Sequence, residues 1–155
     1  MLDNIVLINK TTLFIHCKNI LLQHIADGEK AMQEAQEAAN SEEKSSMGDK
    51  YETGRAMSQL ARDMNASQVV KNKEELTSLL KLENTPVGKQ VIMGSLVYCD
   101  SKIFYVSVAL GQVSIEKQTV TVISGKAPLA KAMLGKQTGE SFTFNNNTFN
   151  IHHIA

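Results

Sequence analysis

Apolar and polar positions change rhythm part-way along this chain. In the first half, Phe14, Cys17, Leu21, His24, Gly28, Ala31, Ala35 and Ala38 recur at alternating steps of three and four, the spacing that keeps one helix face turned to a partner. The face begins with bulky side chains and continues with only Gly and Ala, so a partner helix can come close along its distal part. Gly28 supports this reading, because helix propensity alone would not place a glycine there. The pattern stops near Asn40, and Ser41-Glu-Glu-Lys-Ser-Ser-Met-Gly48 is a polar break suited to a turn. From Asp49, a candidate N-cap, the residues Tyr51, Met57, Leu60, Ala61 and Met64 form a second apolar stripe. Val69, Val70, Leu76, Leu79 and Leu80 carry it toward Glu83. Two helices of similar length across a short loop bury their stripes against each other, which predicts an antiparallel hairpin with its tip between Asn40 and Asp49. From Leu13 to Ala39 such a hairpin spans roughly 40 Å, a projecting arm.

Asn84-Thr-Pro-Val-Gly88 joins Pro and Gly in a linker. Beyond it Val, Ile, Thr and Phe dominate, and strands are predicted at 90–98, 103–109, 119–124, 140–144 and 148–154, the last with Phe149 and Ile151 alternating. One helical piece, Pro128 to Leu134, has Pro in its first turn and Gly135 at its C-terminal cap. The expected fold is α+β: a helical hairpin over 1–84, then a small antiparallel sheet with one short helix over 85–155.

Composition narrows the function. The 155 residues are 43% hydrophobic and 21% charged, as in soluble globular proteins. Sixteen Lys and Arg balance sixteen Asp and Glu, so no global basic excess exists to coat nucleic acid or an anionic membrane. The balance hides an asymmetry, with 10 basic and 13 acidic residues up to Asn84 and 6 and 3 after it. Aromatics are 5% and Trp is absent, which argues against base-stacking platforms and aromatic-lined pockets. Cys17 and Cys99 lie far apart without metal-ligand spacing, so a reducing, cytoplasmic setting is expected, with neither zinc nor a disulfide framework. Met1–Lys10 has no basic n-region, and Leu13–Ile25 is broken by His16, Lys18, Asn19, Gln23 and His24, so neither a signal peptide nor a membrane span is expected. His16 and His24 lack an acid at ligand spacing, so packing rather than metal binding is expected of them, and His152 and His153 point to opposite faces of a regular strand, which disfavours joint chelation. The methionines, Met57, Met64 and Met133 among them, are expected as core and interface filler. No phosphate loop, HExxH or nucleophile–base pair is present in the sequence.

Ile123-Ser-Gly-Lys-Ala-Pro-Leu-Ala-Lys-Ala-Met-Leu-Gly-Lys-Gln-Thr-Gly-Glu-Ser-Phe142 resembles the C-terminal signature of the Gre transcript-cleavage factors of bacterial RNA polymerase. There, a strand ending in Ile-Ser precedes a Pro-Leu-x-x-Ala-x-Leu-Gly-Lys-x-x-Gly-Asp run. Ile123, Ser124, Pro128, Leu129, Ala132, Leu134, Gly135, Lys136 and Gly139 match, with Glu140 in place of the Asp. The resemblance implies a coiled-coil hairpin followed by a domain of FKBP-like topology. It implies that the C-terminal domain docks on the rim of the polymerase secondary channel while the hairpin enters it. Acidic residues at the tip would then help hold a second Mg2+ in the polymerase active site and orient water against backtracked RNA. On this reading the chain has no cofactor or independent active site of its own. Its partner is bacterial RNA polymerase, with the RNA 3′ end met indirectly, and it binds neither a membrane nor a specific DNA sequence.

The family's tip reads Asp-Leu-x-Glu-Asn-x-Glu-Tyr, and aligning its Tyr with Tyr51 puts Lys44 at the Asp and Met47 at the Glu. Neither offers the hard anionic oxygen that Mg2+ requires. Glu42, Glu43 and Asp49 are the candidate replacements, with Glu52 nearby; the structural alternative is a solvated loop with Asp49 capping the second helix. Pro128, Leu129, Lys131 and Lys136 are the candidate docking residues, and Lys126 adds to the basic surplus around them. Arg55 and Arg62, seven apart, are expected either to face acids on the first helix or to meet the channel and RNA phosphates. The altered tip keeps a non-cleaving channel occupant open, similar to the Gre-like regulator of nucleoside diphosphate kinase. FKBP-like topology adds a peptide-binding module, against which the missing Trp stands. A dimerising hairpin would need bulky residues along the whole seam, which the Gly/Ala stretch does not supply.

Overall fold

The computed structural model describes residues 5–42 and 48–155, with side chains described for 5–41 and 52–155. The chain divides into two compact units, Met1–Lys18 with Thr77–Ala155, and Asn19–Leu76. Two helices run through both: α1, Lys10–Glu42, and α2, Gly48–Leu80. With 33 residues each, they are about 50 Å long. Asn9 starts α1, its Oδ1 accepting from Thr12 N at 3.0 Å, which satisfies one of the free amides of the first turn. Residues 43–47, which include Glu43 and Lys44 of the expected tip, lie outside the described residues.

The helices pack antiparallel. Gly28 faces Val69, Lys73 pairs with Glu29 at 3.1 Å, and Arg62 Nη1 donates to Gln36 Oε1 at 3.0 Å. The faces they turn to each other differ from those expected. On α1, Phe14, Cys17 and Leu21 are buried as predicted, but His24 and Ala38 are exposed, and Ile25 and Ala39 are buried instead. The seam keeps its steps of three and four but takes two fours in a row, Cys17 to Leu21 to Ile25, and then continues through Gly28, Met32, Ala35 and Ala39, a local shift of the heptad register.

On α2 the correction is larger. Met57, Leu60 and Met64 are 64%, 55% and 66% exposed, so neither methionine is core filler, whereas Met133 is fully buried. The inward face consists of Arg55, Ser58, Arg62, Asn65, Val69, Asn72, Leu76 and Leu79, at alternating steps of three and four. Contact between Gly28 and the Val69 side chain draws the helices together. At that separation small side chains, or arginine stems laid along the neighbour, fit where Met and Leu do not.

The remainder is a six-stranded sheet in the order β3-β4-β2-β1-β6-β5, formed by β1 (Leu96–Cys99), β2 (Ile103–Ser107), β3 (Gly111–Ile115), β4 (Gln118–Ser124), β5 (Ser141–Phe144) and β6 (Asn147–Ile154), with α3 (Pro128–Met133) between β4 and β5. It is mostly antiparallel, as expected, with one parallel pair, β2 and β4, which the sequence did not indicate. β3 was not expected. It is an edge strand with only Val113 and Ile115 buried, too short an alternation to stand out. The strand expected at 90–98 is confined to Leu96–Cys99 because Gly94 adopts φ +93°, and Ser95 N returns to Ile92 O at 3.0 Å in a turn. The core on one sheet face joins Val97, Phe104, Val106 and Ile151 to Ala130 and Met133 of α3. Tyr98 and Tyr105 are buried in the same unit as Leu13, Phe14, Cys17 and Leu79. Among the described residues no helix is long and apolar enough to cross a membrane.

Candidate functional site

Each matched position of the signature has a local job. Ser124 ends β4, its carbonyl accepting from Ala127 N at 3.0 Å and its Oγ from Lys126 N at 3.2 Å. Pro128 opens α3, where its fixed φ suits the first turn and its missing N–H costs nothing. Gly135, at φ +85°, follows the helix in the left-handed conformation that commonly ends one. Glu140, in place of the family's Asp, closes the next turn: its Oε1 accepts from Gln137 N at 2.9 Å, and its own N–H donates to Gln137 O at 3.0 Å.

Of the candidate docking residues, Pro128 and Lys131 are exposed, Lys136 is half-buried, and Leu129 packs against the core. The segment before β1 lies alongside them. Val91 N donates to Lys136 O and Gly135 N to Val91 O, both at 2.8 Å. The end of the Met93 side chain lies over Gly125, where a Cβ would displace it. Ile92 and Met93, 41% and 38% exposed, thereby join the signature as an apolar surface next to Lys126. Sequence reasoning missed both, having assigned them to a strand. The signal available was the pair of adjacent apolar residues preceding a glycine.

Of the tip candidates, Glu42 is the last residue of α1 and Asp49 the second of α2, with side chains outside the described residues; Glu43 is outside them altogether. Arg62 lies on the inward face, bonded to Gln36 across the pair and to Asp63 beside it.

At the start of β2 and β4, a cleft of about 610 Å³ opens between the turns that precede these strands. Tyr98, Ile103 and Val6 line it together with Asp100, Lys102 and Lys117. Asp100 is held there by several hydrogen bonds. Oδ1 bonds His152 Nε2, and Oδ2 accepts from Asn150 Nδ2 at 2.8 Å and Asn150 N at 3.2 Å. The hydrogen bond from His152, aided by those from Asn150, holds the Asp100 carboxyl below its ordinary value. His152 reaches it from a bulge: Tyr98 pairs with His153 and Cys99 with Ile151, leaving His152 as the extra residue. His153 lies against the Tyr98 ring, centroids 5.5 Å apart.

Burial pushes the Cys17 and Cys99 thiols up to about 12, the Asp100 charge adding to the effect at Cys99, so neither supplies a thiolate near neutral pH. Among the described residues no three His, Cys, Asp or Glu side chains converge to hold a metal ion. No protein-family model matches the chain, and no curated protein matches it.

Proposed function

We propose that the chain is an RNA-polymerase-binding transcription elongation factor of the Gre type, acting through the secondary channel. One observation carries the reading. The residues that resemble the Gre signature form a strand, a proline-opened helix, a glycine stop and a closing turn, and they carry an exposed surface. That surface combines Ile92 and Met93 with Lys126, Lys131 and Lys136. An apolar centre with a basic rim suits an acidic protein partner. The paired helices support a coiled-coil hairpin that enters the channel, and the α3-bearing sheet is read as the FKBP-like docking domain. The cytoplasm is the compartment that such a partner requires.

Within this reading, Glu42, Glu43 and Asp49 would supply carboxylates to Mg2+ of the polymerase active site, the chain adding ligands and no separate catalytic centre. Lys44 and Met47 at the family's acidic positions favour a second reading in the same binding mode, a channel occupant that regulates without cleaving.

The deciding experiment follows RNA in a defined backtracked elongation complex of the cognate polymerase, with binding monitored in the same samples. Three chains are compared: wild type, the triple change Glu42→Ala, Glu43→Ala, Asp49→Ala, and the surface variant Met93→Asp. Shortening of RNA from its 3′ end by wild type, lost in the triple variant while binding persists, supports the cleavage reading. Binding without cleavage selects the regulator. No binding by wild type overturns the polymerase reading, and undiminished binding by Met93→Asp removes the proposed surface.

A further inference from the structure

The two helices hold each other unequally along their length. Within Asn19–Leu76 the buried apolar residues Leu21, Ile25 and Val69 all lie at or before the level of the Gly28–Val69 contact. Farther out, among the described residues, only Ala39 is buried. The inward positions of α2 there are Arg55, Ser58, Arg62 and Asn65, and Asn65 spends its Nδ2 on Ala61 O of its own helix, at 2.9 Å. The larger apolar side chains of that stretch, Met57, Leu60 and Met64, face away and are more than half exposed. In the sheet, by contrast, Phe104, Tyr105 and Val106 are at most 1% exposed.

Helices in proteins draw most of their stability from burying a face, and a segment that buries little opens at a small fraction of the global unfolding free energy. Arg62 to Gln36 is a cross-helix hydrogen bond in this outer part, and partly solvated polar contacts of that kind contribute little net stability. We propose that residues 29–39 of α1 and 55–66 of α2 form a separate opening unit, which unzips and recloses while the inner hairpin and the sheet stay folded. This is a conformational device of the chain itself, independent of the polymerase reading.

Its cause is the composition of the seam, and that makes it testable. Continuing the antiparallel register of Gly28 with Val69 and Gln36 with Arg62 places Asn65 opposite Met32. Asn65→Leu therefore fills the outer seam with an apolar side chain, while Ser67→Leu makes a similar change at an exposed outward position. Hydrogen exchange by mass spectrometry on the full chain reads peptides from 29–39, 55–66 and 103–107. Outer-hairpin amides are expected to exchange about 100-fold or more faster than those of β2. Asn65→Leu is expected to slow the outer peptides at least about tenfold without altering β2, and Ser67→Leu to leave them within about threefold of wild type. Outer amides as protected as those of β2 would overturn the proposal. So would equal slowing by the two leucines, since helix propensity rather than seam packing would then set the opening.

Discussion

Gly28 lies against Val69 so closely that a Cβ on residue 28 would stand 2.5 Å from Val69 Cγ2. A β-branched side chain inside a helix has essentially one χ1 well, so Val69 cannot swing aside. Gly28→Ala gains about 1 kcal/mol of helix propensity but meets an overpacking cost of about 1–3 kcal/mol. The expected net is a loss of about 1 kcal/mol. In a Val69→Ala background the clash is gone, and the same change should stabilise. Denaturant unfolding of the four variants in a double-mutant cycle measures the reversal of sign.

Gly94 combines a positive φ of +93° with Thr85 atoms 2.5 to 2.9 Å from where a Cβ would be. Gly94→Ala is expected to destabilise the sheet-bearing unit by about 2–4 kcal/mol, strain and overpacking together. A lowered denaturation midpoint with an unchanged m-value would show this, because the folded and unfolded surfaces remain the same.

Tyr98 is buried, and its hydroxyl accepts from Ile8 N at 2.8 Å. Tyr98→Phe keeps the ring and strands a buried amide, at an expected cost of about 1–2 kcal/mol. Amide exchange at Ile8 should speed up more than exchange in β2, because the lost bond ties down the segment ahead of α1. A uniform rise across both sites would contradict this local role.

The Asp100 carboxyl is held below its ordinary value by His152 and Asn150. Its contribution to stability is thus fully present above the unfolded carboxylate value of about 3.9 and is lost as pH falls through the lower folded value. Wild type should lose its stability advantage over Asp100→Asn as pH drops from about 5 toward 2. Parallel stability–pH curves for the two chains in that range would refute the assignment.

The two helices, the linker and most strands were legible because each depends on local chemistry. Pro128 and Gly135 bound α3 by φ restriction and φ freedom at its two ends, whatever surrounds them. Val120 and Val122 in β4, like Phe149 and Ile151 in β6, announce strands through period-two spacing. The signature around α3 was visible for the same reason. Its neighbours Ile92 and Met93 were not, since only the pairing of Val91 with the Gly135–Lys136 segment brings them there.

What the sequence by itself determined is where most of the chain turns helical or extended, β3 and the start of β1 excepted, since propensity, capping and φ limits act within a few residues. Tertiary structure alone decided which face of each element is inside. Met57, Leu60 and Met64 form an apolar stripe on α2, yet the helix turns the face with Val69 to Gly28 and leaves that stripe in water. The parallel pairing of β2 with β4 and the bulge that carries His152 to Asp100 were settled in the same way. Such choices depend on distances between residues far apart in sequence, and no local periodicity contains those distances.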